Sequence, residues 1–200
     1  MGIGQLFLAM SSVIHGYPDS QTCGMYSREV FATASAWSGC DLQRAGQKPL
    51  WPIEKLPTDA EVVRFFSSGR DRSFRYITFI KLSDGSSRIE SGGLDWSSKS
   101  AAEWWPKRRR IINAQERAQL DSLLSASGTF DFPIGSWDGK EIYIHCQSLA
   151  MERVHSQVYS FSSVSIGCNR PEKLVKVVDL AAKLVNRPSL LAGWWRASSH

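Results

Sequence analysis

The chain has 200 residues, 42% of them hydrophobic and 22% charged, with a formal net charge of +5. That length suits a single domain over residues 1–200 with its own core, and the composition excludes a chain too polar to fold. The modest positive charge favours an anionic partner such as nucleic acid, acidic lipid headgroups or an acidic protein; no run approaches the roughly 20 apolar residues of a bilayer-spanning helix.

Residues 1–16 contain an apolar stretch from Ile3 to Ile14, interrupted by Gln5, Ser11 and Ser12 and preceded by no Lys or Arg. It reads as a signal-like segment or equally as an ordinary core strand or helix. Eight glycines and prolines, from Gly16 to Pro57, then divide the chain into short pieces, with a short helix expected near Arg28 to Trp37. Thr58 and Glu61 have capping-box spacing, which predicts a helix over Asp59 to Ser67 burying Val62, Val63 and Phe66 and stopping at Gly69.

Phe74 to Leu82 is rich in aromatic and β-branched residues and, despite imperfect alternation, predicts a strand partly covered on both faces. Asp84-Gly85 supplies a tight turn into a returning strand, Ser87 to Ser91, and Gly92-Gly93 then opens a loop. Asn113 and Glu116 repeat the capping spacing, so a second helix places Leu120, Leu123 and Leu124 on one side and ends at Gly128. After Phe130 to Pro133 and the Asp138-Gly139 turn, Glu141 to Gln147 alternates as a half-buried strand. A second strand, Val154 to Ile166, pairs with it through a connection at Leu149 to Glu152. Asn169 and Glu172 cap a closing helix in which Leu174, Val177, Val178, Ala181, Leu184 and Val185 recur at helical spacing before Pro188. Hairpins among helices, without β-α-β alternation, give an α+β class: an antiparallel sheet of hairpins with helices packed on one face.

The order of these pieces resembles an uncharacterised group of small bacterial α+β proteins, many exported or lipid-anchored. The matching positions are Phe74 to Leu82, Arg110, Gln115 to Leu124, Phe130 to Pro133, Asp138-Gly139, Ile142 to Cys146, His155 and Leu174 to Leu184, about half of the chain. Ile142 and His145 stand where such relatives often show Trp and Glu. The resemblance implies a fold and export, and no activity.

Cys23, Cys40, Cys146 and Cys168 form no C-x-x-C, which argues against a zinc or thioredoxin-type site. Pairing 23 with 40 and 146 with 168 is the simplest of three connectivities and suits an oxidising compartment, periplasmic or secreted. Four buried reduced thiols in a cytoplasmic protein are the alternative. No P-loop, dinucleotide fingerprint, H-E-x-x-H or EF-hand loop is present, and no cofactor or metal is expected. Ser136 sits one place early for a nucleophile elbow and precedes a strand. His145 and Cys146, as strand neighbours, face opposite ways. A hydrolase would have to use His155, or the carboxylates Asp131, Asp138 and Glu141, which read more simply as turn and strand-edge residues.

Between Lys99 and Arg117, six basic side chains face only two acidic ones. Within that span Trp104, Trp105, Lys107, Arg108, Arg109 and Arg110 combine arginine with tryptophan, the composition of binding hot spots. The expectation is a non-catalytic protein-binding domain of the immunity or inhibitor kind, acting on a bacterial toxin or envelope enzyme. Single-stranded nucleic acid is the alternative partner for Lys107 to Arg110.

Overall fold

The structure, a computed structural model, describes residues 41–47, 50, 60–68, 73–95, 105–131, 148–165, 172–188 and 190. Six strands form one sheet: β1 (Glu61–Ser68), β2 (Ser73–Lys81), β3 (Ser87–Asp95), β4 (Arg108–Ile111), β5 (Ser148–His155) and β6 (Val158–Ser165). They lie in the order β4-β3-β2-β1-β5-β6, and every neighbouring pair is antiparallel. Two helices, α1 (Ala114–Ser127) and α2 (Glu172–Leu184), pack on one face, which gives the α+β architecture expected from the sequence. No described helix is long and apolar enough to cross a membrane.

β1 corrects the helix expected over Asp59 to Ser67. It lies between β2 and β5, with Val63 and Phe65 in the core beneath the helices and Phe66 in a second cluster on the opposite face. A strand buried on both faces loses the polar alternation that would announce it. The doublets Val62-Val63 and Phe65-Phe66 therefore imitate helical spacing. Their β-branched and aromatic side chains fit a pleated sheet better than a helix.

β3 runs on through Gly92 and Gly93 to Asp95, so these glycines open no loop. A Cβ on Gly92 would stand 2.5 Å from the Tyr76 hydroxyl, and one on Gly93 would stand 2.4 Å from the Phe74 carbonyl oxygen. The pair lets the buried Tyr76 ring and the neighbouring backbone approach β3 closely. The second hairpin is also displaced from expectation: Leu149 to Glu152 belongs to β5 rather than to a connection. The turn is Ser156-Gln157, both residues at positive φ (48° and 62°), which matches the tight turns favoured by strand twist. The expected strand at 141–147, the helix at 28–37 and the segment 1–16 lie outside the described residues.

α1 begins at the expected capping box, in which the Glu116 amide donates to Asn113 Oδ1 (2.9 Å) and the Asn113 amide donates to Glu116 Oε2 (3.0 Å). It ends at Gly128, whose φ of 60° is left-handed. α2 buries Leu174, Val177, Val178, Ala181, Ala182 and Leu184 against the sheet face carrying Val63, Phe65, Ile77, Phe79, Ile89, Leu149 and Met151. Each fully buried Leu or Val there contributes roughly 1.5–3 kcal/mol. Its end is a Schellman arrangement: Arg187 N–H donates to Ala182 O (2.9 Å), Asn186 N–H donates to Lys183 O (3.0 Å), and Asn186 has a φ of 53°.

The opposite face is covered in part by the helical stretch at 41–44, through Leu42 and Ala45, which pack with Phe66, Phe74, Tyr76 and Ala150. Register lines up one polar row across this face. Arg109 opposes Glu90, Glu90 opposes Thr78, Thr78 opposes Arg64, and Arg64 opposes Glu152. The row runs from the exposed edge of the sheet to its buried centre.

Candidate functional site: the basic edge strand

The run read as a docking segment folds into the end of the sheet. β4 lies at the edge, and all four of its residues are exposed. Ile112 N–H donates to Ser87 O at 3.0 Å. Strand alternation then turns the amides of Arg108 and Arg110 toward β3 and those of Arg109 and Ile111 outward. No strand among the described residues pairs with that outer edge. Ile111, which follows Arg110 and opposes Arg88, keeps 66% of its surface exposed.

The residues of this run have different tasks. Trp105 is buried, with the guanidinium carbons of Arg187 and Arg75 4.9 and 5.3 Å from its ring centroid, a cation–π arrangement that anchors the start of the segment. Arg187 also donates to Pro106 O, and Lys107 is exposed. On one side of β4, Arg108 donates to Asn186 O, while Arg110 donates to Leu184 O (2.9 Å) and to Glu116 Oε1 (2.6 Å). These arginines meet carbonyls at the C-terminal end of α2, where the helix dipole favours positive charge.

On the other side, Arg109 donates to Glu90 Oε1 (2.8 Å) yet stays 60% exposed. Glu90 is also met by Arg88 at 3.0 Å. Arg117 extends the basic surface by donating to Gly85 O at 2.7 Å. Glu116 is held below the usual carboxylate range first by the Asn113 amide and then by Arg110, so it remains charged within the basic edge. Trp104 and all four cysteines lie outside the described residues.

Behind the edge, Arg64 and Glu152 form a buried ion pair at 2.6 Å. Tyr159 Oη and the Leu50 amide donate to Glu152 Oε2 at 3.2 and 3.4 Å, and Arg64 Nε donates to Thr78 Oγ1 at 3.2 Å. Burial pushes Glu152 above the usual carboxylate range, against the pull of Arg64 and of these hydrogen bonds. Sequence reading missed this pair. An arginine inside V-V-R-F-F passes for the solvated side of a helix until the segment is placed at the centre of a sheet.

His155, the candidate for hydrolytic chemistry, ends β5 half-exposed, with Nδ1 3.9 Å from Glu61 Oε2. That carboxylate is already engaged by Lys81 Nζ (2.7 Å) and Arg153 Nε (2.6 Å). His155 thus borders the ion-pair network centred on Glu61. Asp131 is exposed just after α1, its amide donating to Gly128 O (2.9 Å). Asp138 and Glu141 lie outside the described residues. No group of three or more His, Cys, Asp or Glu side chains among the described residues is placed to hold a metal ion. No protein-family profile matches the chain, and no curated protein matches it significantly.

Proposed function

We propose that this is a non-catalytic protein-binding domain, of the immunity or inhibitor kind, which recognises an acidic extended segment of its partner through the outer edge of β4. The observation that carries the reading is an edge strand whose outward amides, at Arg109 and Ile111, lie between exposed basic side chains. An open edge is a template for an added strand, with main-chain hydrogen bonds supplying affinity and side chains supplying selectivity. Lys107, Arg109 and Arg117 repel a second copy of β4 and attract carboxylates, so charge selects an acidic partner over self-association. Ile111 offers an exposed apolar contact at the end of β4.

Protein is favoured over single-stranded nucleic acid because base stacking needs an accessible aromatic face, and the Trp105 ring is buried beside two guanidinium groups. A toxin or envelope enzyme as the target, and a periplasmic or secreted setting, belong to the same proposal and rest on the cysteine count and the family resemblance.

Binding of an extended peptide of alternating Asp and Val, compared with its Lys counterpart, tests the reading. Selective, salt-sensitive binding of the acidic peptide that weakens in Arg109→Ala and in Ile111→Ser supports it. Equal binding of both peptides, or binding untouched by either substitution, refutes it.

A further inference from the structure

At the other end of the helix-covered face, where β1, β2 and β5 meet α1, four side chains form an alternating chain of charges. Arg153 Nε lies 2.6 Å from Glu61 Oε1, Glu61 Oε2 lies 2.7 Å from Lys81 Nζ, and Lys81 Nζ lies 2.9 Å from Asp121 Oδ1. Register sets the chain up, since Glu61 opposes Lys81 on β2, while on β5 it opposes His155 and lies diagonal to Arg153, two residues away on the same face. The inner members are the more enclosed, with side-chain exposures of 6% for Glu61 and 26% for Lys81; the terminal members, Arg153 and Asp121, each keep 36%. Neutralisation is therefore most complete in the middle. The chain presents a cationic end and an anionic end to the same space.

That space is a cavity of about 170 Å³, lined by these four residues and by Val63, Leu124, Ser125 and Phe130. It is smaller than the roughly 300–1,000 Å³ of pockets that enclose drug-sized ligands. Phe130 lies 5.8 Å from the Arg153 guanidinium carbon, so an aromatic wall adjoins the cationic end. A ligand bearing one charge would satisfy one end of the chain and face repulsion from the other. A ligand bearing both charges, with an apolar portion, matches all three surfaces.

We infer that this cavity is a binding site for a small zwitterionic amino compound, a free amino acid or short peptide with an apolar side chain, whose carboxylate meets Arg153 and whose ammonium meets Asp121. Val63, Leu124 and Phe130 receive the side chain. This site is separate from the β4 edge and does not depend on the reading of that edge.

The experiment is an amide-resolved NMR titration of the full chain with leucine and with glycyl-leucine. N-acetyl-leucine and leucinamide, each lacking one charge, are the controls. Saturable shifts confined to residues around the cavity, for leucine or the dipeptide and not for the singly charged analogues, are expected. The better of the two zwitterions identifies the ligand length. Asp121→Asn and Arg153→Gln each lose one charged hydrogen bond and should weaken binding roughly tenfold or more. Equal shifts from the singly charged analogues, or no saturable shift from either zwitterion, would overturn the inference. If a variant fails to fold, the comparison of analogues on the wild-type protein decides alone.

Discussion

Arg64 and Glu152 face each other across β1 and β5, Nη1 2.6 Å from Oε1, with almost no side-chain exposure on either partner. Removing one member leaves a buried charge uncompensated, which costs about 3–5 kcal/mol, whereas replacing both with apolar residues of similar size is often neutral or stabilising. Arg64→Met alone is therefore expected to lower unfolding stability by that amount, and Arg64→Met/Glu152→Leu to recover most of it. Urea unfolding curves of the three proteins check this. A double variant as unstable as the single one would contradict it.

Tyr76 is pushed up to about 12 from an ordinary value of 10.0, first by burial and then by the Glu90 carboxylate, against the pull of Arg64 and of the hydrogen bond from Gln47. Below pH 10 both folded and unfolded chains keep the phenolic proton, so the group's contribution to stability is fully present. As pH rises toward 12 the unfolded chain releases that proton while the folded chain holds it, and stability is lost across the window. Tyr76→Phe should therefore show a shallower alkaline loss of stability. A tyrosinate absorbance titration of the wild type minus that of the variant should show ionisation only near pH 12 or on unfolding; ionisation of Tyr76 at the ordinary value in the folded protein would contradict the placement.

Gly93 and Gly92 should tolerate Ala poorly. The Gly93 Cβ would meet the Phe74 carbonyl oxygen at 2.4 Å, and the Gly92 Cβ would meet the Tyr76 ring and hydroxyl at 2.5–2.8 Å. Neither neighbour is free to withdraw, one being ladder backbone and the other a fully buried ring. Overpacking of this kind costs typically 1–3 kcal/mol, and thermal unfolding of Gly92→Ala and Gly93→Ala reads it directly. Wild-type stability in both would remove the close-approach explanation.

What the sequence revealed depended on whether its signals were local. The Asn113/Glu116 box, the Gly128 stop, the Asp84-Gly85 turn and the apolar face of α2 are set by residues within a turn or two of each other, and each is found where expected. β1 imitates a helix in sequence because its burial on both faces depends on partners up to about 90 residues away, and nothing local marks it. The same cause hid Arg64 and Glu152. Of the basic run, composition indicated a surface and could not divide its labour: only the position of α2 reveals that Arg108 and Arg110 meet the end of that helix while Arg109 points to the other side.

That division has a consequence for stability. Arg108→Ala and Arg110→Ala each remove a charged donor from carbonyls at the end of α2, a loss of about 0.5–1 kcal/mol. Hydrogen exchange of amides in the last turn of α2 should quicken in both. Arg109→Ala, on the opposite side of β4, should leave that turn unchanged. Equal acceleration by all three would show that the arginines act through general charge instead.

The most direct test of the docking edge is the hydrogen-exchange rate of the Arg109 and Ile111 amides, measured residue by residue with and without the acidic Asp/Val peptide. Strand addition predicts slowed exchange at those two amides, lost at high salt, while Arg108 and Arg110, already turned toward β3, change little. Unaltered exchange at Arg109 and Ile111, or protection of Arg108 and Arg110 alone, would contradict the account.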